Sequence, residues 1–335
     1  MIYGLGYGFA RPDFASAEVE VAFDGSVTLW NGASELGQGL RTVLCQLVAG
    51  ELGIPYEAVK IISADTEKTP DAGPVSASRA TYVQGNAVVT ACRDLKEQLG
   101  TLAADLLDTY PGRIEFRNKG VSDREEPSKS ISFAKLAGEA HARGKRFRGH
   151  GWHNITTSDV DRETSQGDAY ATYAWASQLA EVEVDTETGK VTVVRLASAT
   201  DAGKAINPKG VEGQIEGGAV QGLGFALMED MIVQDGKFLN SRFSTYIIPT
   251  AADVPRIDPL IVEVHDPTGP HGAKGVAEPA TIATTPAILN AIADALGKRL
   301  SRTPASPERV LQLLGRIEAV DNKMIAMEDV PYPNP

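Results

Sequence analysis

The chain has 335 residues, of which 42% are hydrophobic and 23% charged, a composition typical of globular proteins with a large buried core. Its net charge of −12 disfavours nucleic acid as a partner, because proteins that bind phosphate backbones present basic surfaces. No apolar run reaches the roughly 20 residues of a membrane span, and the start MIYGLGYGFARPDF lacks the features of a leader. We therefore expect a soluble, cytoplasmic protein with no membrane partner, in which local donors bind any anionic ligand.

Strands and helices follow one another in the first third of the chain. The segment AEVEVAFDGSVTLWNG alternates apolar and polar residues around Asp24 and Gly25, which predicts a β-hairpin. A helix is expected to begin at Gln38 or Gly39, because the following apolar residues recur at helical spacing. The segment VKIISAD is typical of a short strand, and a loop then leads into a helix over residues 80–107. This order predicts an α+β fold with mixed sheets.

The polar stretch RNKGVSDREEPSKS, which precedes a predicted helix over residues 132–142, is the strongest candidate for a linker. We therefore predict one α+β subdomain over residues 1–125 and a second over residues 126–317. The tail, residues 318–335, has no periodicity and is predicted to be a C-terminal arm.

The second half begins with a polar segment, residues 149–170, that is predicted to be irregular. Two long antiparallel strands around Thr188 and Gly189 follow, and then a helix that contains five glycines at positions 213, 217, 218, 222 and 224. Each glycine inside a helix costs about 1 kcal/mol of stability relative to alanine. Five of them in one helix therefore predict close approach of another backbone or a ligand. Further elements are expected as a strand over residues 259–265 and helices over residues 285–295 and 307–314.

Two loops that precede helices are candidate anion sites. Gly37, Gln38 and Gly39 stand where unpaired backbone N–H groups favour an anion, although a simple glycine cap explains them as well. The loop from Ser76 to Arg79 has the same character, and its alternative explanation is that a serine caps the next helix.

Three further polar residues are candidates on the basis of their surroundings. Asn207 precedes Pro208 and is either a helix cap or a ligand contact. Gln214 lies on the glycine-rich helix, where its amide could reach a ligand edge. Glu278, in the loop GAKGVAEP, is a carboxylate among small and apolar residues and a candidate general base; the alternative is a first-turn glutamate that complements a helix dipole.

Other residues with reactive side chains are assigned no function. Cys45 and Cys92 lie in helical segments and are expected to be inert core thiols, and the five histidines have no metal-ligand spacing. The opening GLGYGF is followed by a hairpin instead of the helix that a dinucleotide fingerprint needs. Motifs of serine hydrolases and zinc proteases are missing from the sequence.

Four ordered motifs resemble the second molybdenum-cofactor domain of the xanthine dehydrogenase and aldehyde oxidoreductase family. They are AEVEVAFDGSVTLWNGASELGQGLRTVLCQLVAGELGIP, DAGPVSASRATYVQGNA, DAGKAINPKGVEGQIEGGAVQGLG and GAKGVAEPATIATTPAILNAIADALG. The resemblance covers nearly the whole chain and implies the α+β fold of that domain. Because the chain begins where the second domain should start, it is similar to the medium molybdopterin subunit of nicotinate dehydrogenase-like enzymes.

The resemblance implies a role for each candidate residue. Glu278 matches the family's active-site glutamate and becomes the expected catalytic base. The expected contacts of the cofactor, whose molybdenum is held through the pterin dithiolene, are Gln38, Gly39, Thr42, Ser76, Ala77, Ser78, Arg79, Asn207 and Gln214. Ala277 departs from the family pattern, because many relatives have glycine before this glutamate.

The resemblance also implies a cofactor, partners and a reaction. The cofactor is expected to be molybdopterin cytosine dinucleotide with molybdenum, while [2Fe–2S] clusters and FAD are expected on partner subunits. The expected partners are a large molybdopterin subunit that carries the first cofactor domain, an iron-sulfur subunit and a FAD subunit. The reaction is hydroxylation of an electron-poor carbon of an N-heteroaromatic or purine substrate with water as the oxygen source. Oxidation of an aldehyde or of carbon monoxide is the alternative within the family, and a non-catalytic scaffold subunit is the alternative from another class.

Overall fold

A computed structural model describes residues 1–318 of the chain, which form two compact units. Unit 1 comprises Met1–Ala176, Ala199–Ile215 and Leu260–Pro279. Unit 2 comprises Ser177–Ser198, Glu216–Pro259 and the described residues from Ala280 onward. Within residues 1–318, no helix is long and apolar enough to cross a membrane.

The predicted strands and helices appear in the predicted order, together with further elements that the sequence did not predict. Up to residue 154 the elements are β1 (Ile2–Gly4), β2 (Phe14–Val21), β3 (Val27–Asn31), α1 (Leu40–Leu52), β4 (Val59–Ser63), α2 (Gly85–Leu107), β5 (Ile114–Arg117), β6 (Gly120–Asp123), β7 (Ser130–Ser132), α3 (Phe133–Ala142) and β8 (Arg148–Asn154). The later elements are β9 (Tyr173–Val184), β10 (Val191–Asp201), α4 (Pro208–Leu227), β11 (Val233–Gln234), β12 (Lys237–Phe238), β13 (Arg256–Val262), α5 (Ala277–Thr281), α6 (Thr284–Leu296) and α7 (Pro307–Leu314). The strands form mixed and antiparallel sheets, which confirms the α+β class.

The central sheet of unit 1 has the strand order β4-β3-β2-β8. β2 and β3 form the predicted antiparallel hairpin, and β4 lies parallel to β3. In β2 every second residue is buried, so its apolar positions Ala15, Ala17 and Val19 face the core. Helices α1 and α2 supply the other side of this core, which includes Cys92. Cys45 is buried as well, and burial raises the pKa of both thiols.

Strand β8 overlaps the start of the segment, residues 149–170, that was predicted to be irregular. Glycine disfavours strands, and β8 contains two buried glycines, Gly149 and Gly151. A Cβ at these positions would lie 2.1 and 2.0 Å from the carbonyl oxygens of Ala91 and Ala87 in α2. The glycines therefore allow α2 to lie directly on the strand, a contact between distant segments that a local pattern cannot reveal.

The predicted linker is instead a three-stranded antiparallel sheet of β5, β6 and β7. Most of its charged residues lie in or beside the turns: Lys119, with Asn118, has positive φ between β5 and β6, and Arg124, Glu125, Glu126 and Lys129 lie between β6 and β7. At the end of β6, the Asp123 carboxylate accepts hydrogen bonds from the backbone N–H groups of Glu125 and Glu126 at 2.7 and 3.1 Å. The predicted border between residues 125 and 126 therefore falls inside unit 1, and the described units divide the chain elsewhere.

The core of unit 2 is smaller and contains apolar residues of α4, α6 and α7, among them Leu223, Ile288 and Val310. Two of the five helix glycines allow the predicted close packing, since a Cβ at Gly218 or Gly222 would lie 2.8 and 2.4 Å from side-chain carbons of Ala280 and Thr284.

Most other predicted bounds differ little from the observed ones. β13 begins three residues earlier than expected, and α7 has the predicted bounds. Of the predicted C-terminal arm, residues 319–335 lie outside the described residues.

Candidate functional site

A cavity of about 260 Å³ lies within unit 1. Its lining comes from four stretches of the sequence, residues 36–43, 75–81, 202–214 and 273–278, and its walls are largely apolar. These stretches fall in the four motifs singled out above. Every candidate residue lines this cavity except Thr42 and Ala77.

Ser78 and Glu278 meet at the cavity although they are 200 residues apart. The Ser78 hydroxyl donates to the Glu278 carboxylate and accepts a hydrogen bond of 3.1 Å from the Glu278 backbone N–H. Ala77 and Ser78 have φ of 53° and 49°, a left-handed conformation that costs a non-glycine residue about 1–2 kcal/mol. The surrounding loop therefore holds Ser78 in a strained conformation that directs its hydroxyl at the carboxylate.

Glu278 lies in the first turn of α5, as the helix-dipole alternative predicts, and the loop before it is anchored by a buried ion pair. The Nζ atom of Lys274 lies 2.8 Å from a carboxylate oxygen of Asp201 and 2.9 Å from the carbonyl oxygen of Tyr173. Gly275 allows the loop to approach the other side of the site, since a Cβ there would lie 1.8 Å from the Ser78 carbonyl oxygen. Ala277 has no positive φ, so alanine fits at the position where many relatives have glycine.

Tyr3 is a part of this site that the sequence did not predict. Burial, and secondarily interaction with the Glu278 carboxylate, raise the pKa of the Tyr3 hydroxyl. The hydroxyl therefore stays protonated and able to donate a hydrogen bond. Because β1 is only three residues long and has no polar motif, no local pattern links it to Glu278.

The Arg79 guanidinium makes its hydrogen bonds to groups of unit 1. Its side chain is fully buried, and its guanidinium pairs with Asp13. The remaining N–H groups donate to the carbonyl oxygens of Phe14, Ala72 and Pro74 at 2.6 to 3.1 Å. Arg79 thus holds the loop in shape, and its guanidinium is committed to protein acceptors.

At the start of α1, the backbone N–H groups of the predicted anion site bind a carboxylate of the chain itself, that of Glu35. Glu35 accepts hydrogen bonds from the backbone N–H groups of Gly37, Gly39 and Arg41 at 2.9 to 3.0 Å. Burial opposes its ionisation, but these donors leave the pKa of Glu35 below its ordinary value. The Gln38 amide bonds within the same loop, to the Leu36 N–H and the Ser34 carbonyl oxygen. Gln38 therefore shapes the loop as well as lining the cavity.

Asn207 immediately precedes α4, Gln214 lies on its second turn, and both line the cavity. The Oδ1 atom of Asn207 accepts a hydrogen bond of 3.1 Å from the Gly210 N–H, so Asn207 is a helix cap as well as a lining residue. Gln214 is different: none of residues 1–318 hydrogen-bonds to its side-chain amide. Its donor and acceptor are available to a ligand.

Two backbone donors that line the cavity have no acceptor within residues 1–318. In the described part of the chain, no group accepts a hydrogen bond from the N–H of Gly275 or Val276. Together with Gln214 and the apolar walls, these groups fit a flat heterocycle whose edges carry hydrogen-bonding atoms.

Comparison with known proteins identifies the family. Residues 1–255 match the model of the molybdopterin cofactor-binding domain. The chain is 34% identical over 311 residues to the gamma subunit of the 6-hydroxypseudooxynicotine dehydrogenase complex of Paenarthrobacter nicotinovorans, covering 89% of this chain and 37% of that protein. It is 31% identical over 315 residues to a probable xanthine dehydrogenase subunit of Bacillus subtilis strain 168, covering 94% and 41%.

A solved structure gives the same result. Quinoline 2-oxidoreductase from Pseudomonas putida 86 matches with a TM-score of 0.84 and 28% identity, over 94% of this chain and 41% of that chain. The chain thus spans about two fifths of the length of the relatives that it matches. It belongs to the molybdopterin cofactor-binding domain family of the molybdenum hydroxylases, which includes xanthine dehydrogenase.

Proposed function

We propose that this chain is the molybdopterin-binding part of a multi-subunit molybdenum hydroxylase. Its reaction would be hydroxylation of an electron-poor carbon of an N-heteroaromatic or purine substrate, with water as the oxygen source. The observation that carries this proposal is the Ser78–Glu278 pair, which holds one carboxylate at an apolar cavity lined by all four family motifs. The names of the relatives described above, which include a quinoline and a xanthine enzyme, favour a nitrogen heterocycle as substrate.

The cavity suits the pterin of the cofactor. The Gln214 amide would bind a pterin edge that offers both donor and acceptor, and the N–H groups of Gly275 and Val276 would bind an oxygen. Gln38, Gly39, Ser76 and Asn207 are proposed as further contacts through atoms that their internal bonds leave free. When bound, the molybdenum cofactor supplies the two-electron oxidation that protein side chains cannot perform.

Glu278 is proposed as the catalytic base, which accepts the proton of the attacking water. The Ser78 hydroxyl holds the carboxylate in one orientation, and Tyr3 offers a second protonated donor beside it. General-base assistance by a positioned side chain accelerates a reaction by about 10²–10⁴-fold. The apolar lining limits the water that competes for this carboxylate.

A companion large molybdopterin subunit is proposed to complete the site. Cavities that enclose a whole small-molecule ligand measure roughly 300–1,000 Å³, and this cavity, at about 260 Å³, is smaller. It would hold part of a molybdopterin cytosine dinucleotide, while the companion covers the rest. Iron-sulfur and FAD subunits are proposed to carry electrons away from the site.

Analysis of the purified complex tests this function. We expect stoichiometric molybdenum, release of a cytosine nucleotide on denaturation, and dye reduction with one member of a panel of N-heterocycles and purines. The product should carry ¹⁸O when the reaction runs in H₂¹⁸O. Turnover with only aldehydes or carbon monoxide would support the alternative substrates, and a complex without molybdenum or nucleotide would support a scaffold subunit.

A further inference from the structure

Unit 2 carries a segment, residues 231–248, that exposes an unusual number of large apolar side chains. The exposed members are Met231, Ile232, Val233, Phe238, Leu239, Phe243, Ile247 and Ile248. Phe243 is 106% exposed, so its ring extends fully into solvent, and Phe238 and Ile247 are more than 60% exposed. Soluble proteins rarely leave so many apolar groups together on the surface unless another molecule covers them.

The conformation of this segment is fixed by internal hydrogen bonds. The Asn240 side chain accepts from the Ile232 N–H at 2.8 Å and donates to the Asp230 carbonyl oxygen at 2.6 Å. The Tyr246 hydroxyl donates to Glu229 at 2.7 Å, and β11 pairs with β12. The apolar groups are therefore presented by an ordered structure, which lowers the entropic cost of binding.

The composition of the segment is that of an interface core. In its second part, residues 238–248, Arg242 is the only charged residue and aromatic and branched apolar residues are frequent, while Asp235 and Lys237 lie at the turn between β11 and β12. Interface cores are depleted of charge and enriched in aromatic residues, and such residues contribute most of the binding energy.

We propose that this segment is the docking surface for the companion large molybdopterin subunit, an inference that rests on the proposed function. The relatives' chains continue well beyond the two fifths that this chain spans, so they contain additional protein that could cover the segment. A second copy of this chain is a poorer occupant, because each copy has a net charge of −12 and two copies repel each other.

Cysteine protection tests this surface. Both native cysteines are buried, so Phe243→Cys introduces a thiol that a maleimide can label above a low background. We expect rapid labelling in the free chain and at least tenfold slower labelling in the complex with the companion. Tyr110→Cys, at a 73% exposed position in unit 1, is the matched control and should be labelled equally fast in both states.

A binding measurement completes the test. Phe243→Ser should weaken association with the companion at least tenfold, and Phe243→Ser combined with Ile247→Ser at least a hundredfold, while Tyr110→Ser changes it less than twofold. Because these side chains are exposed, the thermal unfolding of the free variants should match that of the unaltered chain. Equal labelling of Phe243→Cys in free and bound chain, or a dimer of this chain that only the serine variants disrupt, would overturn the proposal.

The two proposals can fail separately, since neither association nor labelling requires molybdenum or turnover. A complex that protects Phe243→Cys but contains no molybdenum would contradict the proposed function alone. A loaded, active complex with an unprotected thiol would contradict the docking surface alone.

Discussion

The two units differ in which polar and apolar side chains they bury and which they expose. Unit 1 buries a large apolar core and also buries charged groups, such as Arg79 with Asp13 and Lys274 with Asp201, next to its cavity. Unit 2 has a small core and leaves large apolar side chains such as Phe243 in solvent. The difference supports a division in which unit 1 shapes a chemical site and unit 2 provides a surface for association.

The largest expected difference in free energy of unfolding is between two arginine variants, one in each unit. Arg79→Met leaves the Asp13 carboxylate buried without its partner, and such a loss typically costs about 3–5 kcal/mol. Arg309→Met in unit 2 removes a pair with Asp230 that is partly exposed, so we expect about 1 kcal/mol or less. Denaturant unfolding of the two variants measures both losses. Equal losses would contradict the special role of buried charge in unit 1.

A smaller effect is expected from two glutamines of α4. Gln214→Ala removes the free amide from the cavity and should weaken cofactor binding by about 1–3 kcal/mol. Gln221→Ala, on the same helix within unit 2, should leave cofactor content unchanged. Molybdenum content per chain is the measurement, and the loaded fraction of Gln214→Ala should retain the substrate preference of the unaltered enzyme. A changed preference at full occupancy would reassign Gln214 to the substrate.

The smallest expected effects come from replacing two helix caps, one at the cavity and one in unit 2. Asn207 caps α4 and Ser306 caps α7, where its hydroxyl accepts a hydrogen bond from the Arg309 N–H. Replacing either residue with alanine should lower the free energy of unfolding by about 1 kcal/mol. Only Asn207→Ala should also lower the molybdenum content, because Asn207 lines the cavity. If both variants keep full molybdenum content, Asn207 is only a cap.

Periodicity in the sequence was sufficient for elements that bury one face. The β2–β3 hairpin, α1 and α7 were predicted because alternation or helical spacing repeats the geometry of the element. Strand β8 was missed because its buried face consists of glycines that contact another helix. The linker prediction was wrong because charge clusters in tight turns as well as in linkers.

The candidate site was located by resemblance more than by pattern. From spacing alone, each candidate residue could equally have had a purely structural role. For Asn207 the structure confirms such a role, because its side chain caps α4. The partners of the site residues could not be predicted: Asp13 beside Arg79, Glu35 at the start of α1, and Tyr3 beside Glu278. The first and last of these contacts join segments far apart in sequence. Glu35, in contrast, is close in sequence to the N–H groups that it accepts from. An acidic residue just before a helix start is a signal from which this contact could have been predicted.

The most direct test of the account is single-turnover reduction of the metal by substrate in complexes of matched molybdenum content. Glu278→Gln keeps the volume of the side chain and can still accept a hydrogen bond from Ser78, but it cannot take up the proton. We predict a rate about 10²–10⁴-fold lower than in the unaltered complex. Glu216→Gln, at an exposed position on α4, is the matched control and should react at the unaltered rate. An unchanged rate in Glu278→Gln would contradict the assignment of Glu278 as the catalytic base.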